Sequence, residues 1–152
     1  MIIDAIERKI IALLQTDSRL TLQEIADQVG LTASPCHRRI GRLEHDGIIT
    51  RYSAMVDQKV VGLPVSVFVS VKLERQKEKE LEQFASAIAK WPEVVECYLM
   101  TGTRDYLMRV VAPDHMGYEQ FLRQKLTRLD GVASIESSFA LDQIKYSVAL
   151  PL

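Results

Sequence analysis

Residues 21–52, TLQEIADQVGLTASPCHRRIGRLEHDGIITRY, constrain the fold of this chain more tightly than any other stretch. They read as a short amphipathic helix, a glycine turn, a second helix with a cationic outer face, and a tight hairpin. Two helices joined by a turn of about four residues containing Gly form the helix-turn-helix pattern, which places its second helix in a DNA major groove. Thr21 and Glu24 stand at capping-box spacing. Leu22, Ile25, Ala26 and Val29 recur at helical spacing and supply one apolar face. Gly30 is a stop that tolerates positive φ. Thr32 is placed to cap the next helix, and Pro35 falls in its first turn, where a missing N–H forfeits no intrahelical bond.

The second helix separates into a core face and an outward face. Cys36, Ile40 and Leu43 form the buried stripe. At about 100° per residue, Ser34, Arg38, Gly41 and Arg42 point away from it, with His37 on the flank. Arg39 lies nearer the buried edge, which suits a phosphate or structural contact better than base reading. Arginine can grip a guanine edge bidentately and can also hold phosphate, and Gly41 would let the helix backbone approach a sugar-phosphate strand. A solvated charged face is the bland alternative; the capped helix-turn-helix setting favours DNA. Before the motif, Asp4 can cap a helix with Ile6, Ile10, Leu13 and Leu14 as its stripe. After it, Gly47 ends the run and GIITRYSAMV suggests the two short strands of a wing, from which Arg51 and Tyr52 could touch phosphate.

Charge restricts how such a chain could hold DNA. The 152 residues carry a net charge of −1, and residues 1–60 hold eight basic and eight acidic side chains. Bulk, sequence-blind coating of nucleic acid is therefore excluded, and affinity must come from the cluster at His37 to Arg42, multiplied by oligomerisation. The two cysteines, Cys36 and Cys97, are far apart, and MIIDAIERKI is charged throughout. These features suit reduced thiols in a cytoplasmic protein without a cleavable leader or membrane span. Asp57 to Pro64 is the natural linker, giving domains of 1–60 and 61–152.

The second domain alternates strand and helix patterns. Val65, Val67, Val69, Val71 and Leu73 alternate with Ser66, Phe68, Ser70 and Lys72 as a period-two strand. ERQKEKE leads into a helix with Leu81, Phe84, Ala85 and Ile88 on one stripe, closed by Trp91-Pro92. VVECYLM and DYLMRVVA read as two strands joined by a turn at Gly102, Thr103 and Arg104. Asp114 begins a helix with Tyr118, Phe121, Leu122, Leu126 and Leu129 inward, and VASIESSFALDQIKYSVAL returns as one long or two shorter strands. The fold class is α+β: a winged helix-turn-helix followed by a βαββαβ ferredoxin-like antiparallel sheet with both helices on one face. Phe68, Val95, Cys97 and Leu99 could make the other face apolar enough to pair with another subunit.

With TASPCHRRIGRLEHDGIITRY early and GTRDYLMRV, LDGV and SSFALDQIK late, nearly the whole chain resembles the leucine-responsive and asparagine-activator (Lrp/AsnC) family of transcriptional regulators. The resemblance implies an N-terminal domain that binds double-stranded DNA, for which the helix geometry and the wing offer Ser34, His37, Arg38, Arg39, Arg42 and Arg51 as candidate contacts. It also implies homodimers that pair through their C-terminal sheets and assemble further, commonly into octamers. Family effectors are free amino acids bound between dimers, by the loop after the second sheet strand and by the last strand. The family's G-x-x-D-Y loop falls on Gly102, Thr103, Arg104, Asp105 and Tyr106, next to Leu99, Met100 and Thr101. The final-strand segment falls on Ser137, Ser138, Phe139 and Ala140.

In that loop Gly102 would let N–H groups converge on a carboxylate, and Asp105 could accept from an α-ammonium group. Many members carry an acidic-aromatic pair where this chain has Thr103 and Arg104; Arg104 either holds the ligand carboxylate or forms an interface salt bridge. Leu99, Met100, Phe139 and Ala140 favour an aliphatic or thioether side chain, because an unpaired buried charge would be costly there. No cofactor or metal is expected. His37, His45 and His115 lack metal-ligand spacing, and Cys36 and His37 project about 100° apart on their helix. The alternative to a DNA-binding regulator is a stand-alone amino-acid-sensing subunit, since βαββαβ domains also serve biosynthetic enzymes in that way.

Overall fold

The computed structural model describes residues 3–152 and divides into two compact units. One comprises the chain up to Met55 together with Ile144–Leu152, and the other runs from Val56 to Gln143. The chain thus crosses between units twice, whereas the sequence reading places a single boundary at 60/61. Among the described residues, no helix is long and apolar enough to cross a membrane.

The first unit is three helices, α1 (Ala5–Thr16), α2 (Leu22–Val29) and α3 (Ala33–His45), around Ile10, Ile25, Ala26, Val29, Cys36 and Leu43. Asp4 and Thr21 each head a complete capping box, with Glu7 and Glu24 as the returning carboxylates. Gly30 ends α2 at φ 72°, and the Leu31 N–H donates to the Ala26 carbonyl at 2.9 Å. Thr32 occupies the N-cap of α3, but its hydroxyl makes no capping bond. The hairpin expected over residues 47–56 is not formed as paired strands. The Ile48 and Ile49 N–H groups both turn back onto the Leu43 carbonyl, which spends them on closing α3, and the chain then runs extended. The C-terminal segment joins this unit through Gln15, whose side chain exchanges two hydrogen bonds with the backbone of Leu150 at 2.7 and 3.1 Å.

The second unit is a four-stranded sheet in the order β2-β3-β1-β4, all antiparallel. Its elements are β1 (Val65–Leu73), α4 (Glu78–Ile88), β2 (Val94–Leu99), β3 (Tyr106–Ala112), α5 (His115–Gln124), a short 3₁₀ turn at Leu126–Arg128, and β4 (Val132–Phe139). The expected βαββαβ order is present; β4 stops at Phe139, and no strand follows it among the described residues. Val67, Val69, Val71 and Leu73 of β1 and Tyr106, Met108, Val110 and Ala112 of β3 lie under Phe84, Ile88, Tyr118, Phe121 and Leu126. Phe84 stacks on Tyr106 at 4.3 Å, and Trp91 meets Phe121 edge-on at 5.5 Å. Ala85, expected on the α4 stripe, is exposed.

Register corrects the expected composition of the open face. Cys97 pairs with Met108 and Leu99 with Tyr106, so both share the helix-covered side rather than the face of Phe68. A bulge between Val94 and Glu96 resets the alternation, and Glu96 and Tyr98 stand on the open side instead. That side therefore carries Phe68, Leu107 and Val111 among Lys72, Glu96, Arg109 and Glu136, with Arg109 paired to Glu96 at 3.0 Å.

The capping carboxyls give this fold an acid limit. The Glu7 backbone N–H, and then Arg39, hold the Asp4 carboxyl below its ordinary 3.8; the Thr21 backbone N–H and hydroxyl hold Glu24 below 4.5. Groups with depressed folded-state pKa values stabilise fully above their unfolded values and lose that contribution as pH falls through the folded ones. Far-UV circular dichroism and urea titration should show constant stability from neutrality to about pH 5 and a decline below about pH 4; stability that rises below pH 4 would contradict the capping assignment.

Candidate DNA interface and ligand loop

Helix α3 presents its polar side chains on two distinct terms. Ser34, His37 and Arg38 are exposed, and Arg38 makes no hydrogen bond or ion pair among the described residues. Gly41 faces open space, since a Cβ added there would meet nothing within 4 Å. Arg39 is partly covered and pairs with Asp4 at 2.5 Å, its Nη1 also lying 3.6 Å from Glu7. Arg42 was expected to point outward; its side chain is 56% exposed, yet its guanidinium pairs with Oε1 of Glu7. The reason lies on α1, one turn from its cap: Glu7 is 1% exposed, and its charge draws in the arginine that can reach it.

The sequence reading treats Asp4 only as a cap and does not notice Glu7. Its signal is the acidic residue three positions after the cap on a helix that must pack against α3. Arg51 is exposed on the extended segment, while the Tyr52 hydroxyl is occupied, donating to Glu44 at 2.8 Å. Burial and then Glu44 push the Tyr52 pKa up to about 12.

In the second unit the β2–β3 loop is built around Asp105. Its carboxylate, 7% exposed, accepts the Leu73 N–H at 2.7 Å where β1 changes register against β4. The Asp105 N–H donates to Val71 at 2.9 Å and its carbonyl accepts from Met100 at 2.8 Å. Asp105 thus closes the loop onto the end of β1, and one of its oxygens is already committed to the backbone. Gly102 sits at φ 107°, a conformation that side-chain-bearing residues rarely adopt. The N–H groups of Thr101, Gly102, Thr103 and Arg104 donate to no protein group among the described residues. Within the subunit Arg104 reaches past β1 to Glu136 at 2.5 Å and Ser134 at 2.9 Å on β4.

The other expected ligand residues lie elsewhere. Ser137 and Phe139 stand over α5, where Ser137 hydrogen-bonds Tyr118. Phe139 stacks on His115 at 4.8 Å and meets Tyr118 edge-on at 5.3 Å. Ser138 faces the opposite side beside Phe68, and Ala140 bonds back to Ser66 at 2.9 Å. Phe139 is level with Val67, whereas the loop begins beyond the Val71–Tyr106 pair. Four residues along β1 and two strand spacings across separate them, roughly 13 Å by 10 Å. One subunit does not bring the loop and the end of β4 together. Leu99, Met100 and Phe139 are all exposed.

A compact helix-turn-helix unit joined to an antiparallel βαββαβ unit defines a DNA-binding regulator with a sensory domain. Residues 3–50 match the winged helix-turn-helix DNA-binding family and residues 66–150 the Lrp/AsnC ligand binding domain. The chain belongs to the Lrp/AsnC family of transcriptional regulators. It is 39% identical over 150 residues to the DNA-binding transcriptional activator DecR of Escherichia coli, spanning 99% of both chains. It is 41% identical to the Bkd operon transcriptional regulator of Pseudomonas aeruginosa, over 99% of this chain and 98% of that one. Among solved structures, it matches a Neisseria meningitidis transcriptional regulator in complex with L-Met at 36% identity and a TM-score of 0.93, covering 99% and 97% of the two chains. These relatives are regulators rather than enzymes, and the N-terminal match sets aside a sensing subunit without DNA binding.

The Asp105 geometry separates two substitutions. Asp105→Ala strands the Leu73 N–H and should lower stability by about 1–3 kcal/mol in urea unfolding. Asp105→Asn keeps an acceptor oxygen and should lose distinctly less. Equal losses would remove that hydrogen bond from the loop's support.

Proposed function

We propose that this regulator binds an uncharged aliphatic or thioether amino acid between dimers, and that the ligand alters the assembly or its engagement of DNA. The observation that carries the reading is the separation of the loop at Gly102 from the end of β4: a pocket that uses both must draw them from different subunits. The unpaired N–H groups of residues 101–104 suit a ligand carboxylate, and Leu99, Met100, Phe139 and Ala140 suit an apolar side chain. The L-Met complex of the Neisseria regulator supports that ligand class. Because one Asp105 oxygen serves Leu73, its other oxygen is the one left for an α-ammonium group, with Thr103 and Tyr106 from the same loop and Ser137 and Ser138 from the end of another subunit's β4 as the pocket's further polar residues. Arg104 acts as a strut for the loop rather than as the carboxylate holder.

In this reading residues 1–60 bind DNA, residues 61–152 bind effector and oligomerise, and the protein works in the cytoplasm as a homodimer assembling to an octamer. Ser34, His37 and Arg38 read the major groove and Arg51 lies near the phosphates, while Arg39 and Arg42 flank the contact, held by Asp4 and Glu7. Two recognition helices of a dimer require half-sites about one helical turn apart, or a multiple of it.

Isothermal titration with a panel of amino acids, paired with sedimentation velocity, tests the effector. Methionine or a branched aliphatic amino acid should bind and shift the assembly; binding of only lysine, arginine or aspartate would overturn the proposed pocket. For DNA, Arg38→Ala should cost about 1–3 kcal/mol on the preferred site if the guanidinium reads a base edge, and weaken all sequences alike if it holds phosphate. An affinity unchanged on every duplex would remove Arg38 from the interface.

A further inference from the structure

The acidic pair at the start of α1 bears on how the DNA surface discriminates, an inference that rests on the DNA-binding role of α3. Glu7 Oε2 accepts the Asp4 N–H at 3.1 Å, while its Oε1 takes Arg42 and lies 3.6 Å from Arg39. Arg39 in turn pairs with Asp4 Oδ2 at 2.5 Å. Two carboxylates therefore balance two guanidiniums, and of the three arginines on α3 only Arg38 makes no ion pair among the described residues. Glu7 cannot release both cations, because a buried carboxylate left without a compensating charge is strongly destabilising.

We propose that Asp4 and Glu7 are specificity-determining residues that withhold Arg39 and Arg42 from DNA phosphates. Phosphate contacts supply the sequence-independent part of affinity, and base-edge contacts supply discrimination. An arginine held by a carboxylate adds little to the first, so binding to arbitrary sequence stays weak and Arg38 with its exposed neighbours decides the site. The zero net charge of residues 1–60 follows the same logic over the whole segment.

Two substitutions test this in the full chain, with a random-sequence duplex as probe and fluorescence anisotropy at several salt concentrations. Glu7→Gln keeps shape and an acceptor for the Asp4 N–H while discarding the charge. Asp4→Ser keeps an N-cap acceptor on an exposed residue. Either folded variant should bind the duplex more tightly at low salt. The slope of log K against log salt should steepen by about 0.9 per released arginine. Across a roughly fourfold rise in salt, that variant then loses about threefold more affinity than the parent. A purely structural role would instead weaken binding at every salt with the slope unchanged, and that result in the folded variants overturns the proposal. Circular dichroism identifies a variant that has not folded, and Asp4→Ser carries the test if Glu7→Gln fails. A parent chain that binds no duplex at any salt would defeat the DNA role itself, an outcome distinct from unchanged slopes.

Discussion

The register of β1 governs the sensory half of the molecule. Val67, Val69 and Val71 are wholly buried, and a slip of one residue would turn all of them to the open face while forcing Phe68 and Lys72 under the helices. Both neighbouring strands inherit this constraint: Tyr106 and Met108 are set against Val71 and Val69 on one side, Ile135 and Ser137 on the other. Because β3 starts at one end of β1 and β4 finishes at the other, the Gly102 loop and Phe139 are held apart by hydrophobic burial. Movement within one subunit cannot join them without unpairing the core. The same constraint places Asp105 where its carboxylate meets Leu73 at the point of register change.

The helical half answers to a different force. Among the described residues its core gathers Ile10, Ile25, Ala26, Val29, Cys36 and Leu43, with partly buried side chains such as Leu14 and Ile40 packed against them. Beside this core Glu7 is buried, and among the described residues its desolvation is offset by the arginines of α3 and the Asp4 N–H. The orientation of α3 about α1 is thereby tied to the side chains that would otherwise lie on DNA. On the proposed reading, stability and affinity draw on the same guanidiniums, so a gain in one is taken from the other.

How much of this was legible in the sequence depended on whether a signal was local. Capping at Thr21 and Glu24, the αL turn at Gly30 and the period-two alternation of β1 are set by neighbours along the chain, and all appear as read. The unpaired hairpin shows the limit: GIITRYSAMV has strand-like composition, yet Ile48 and Ile49 give their N–H groups to Leu43, a choice made by helix termination rather than by β-propensity. Cys97 and Leu99 were assigned to the wrong face because a bulge at Val94/Glu96 shifts the alternation, and a bulge leaves no trace in a hydrophobic pattern. Arg42 and Arg104 carry pairings that periodicity does not foretell. Helical and strand periodicity fix where a Cβ points, but a long cationic side chain goes where an acid such as Glu7 or Glu136 awaits it, and such pairs are 35 and 32 residues apart in sequence.

These features bear jointly on how a ligand could control binding to DNA. If two of the three α3 arginines are withheld on α1, as proposed, the recognition helix of a single subunit grips phosphate only slightly. Appreciable affinity then requires several subunits on one duplex, where each added contact acts at high effective concentration. A ligand can move that balance only by binding one assembly more tightly than another. In the proposed pocket this difference follows from the geometry: the loop and the end of β4 meet only between subunits, so binding energy is realised in assemblies that juxtapose them and lost in those that do not. The two proposals are complementary: weak individual recognition helices would make occupancy depend on subunit number, and a divided ligand site would let an amino acid act on it.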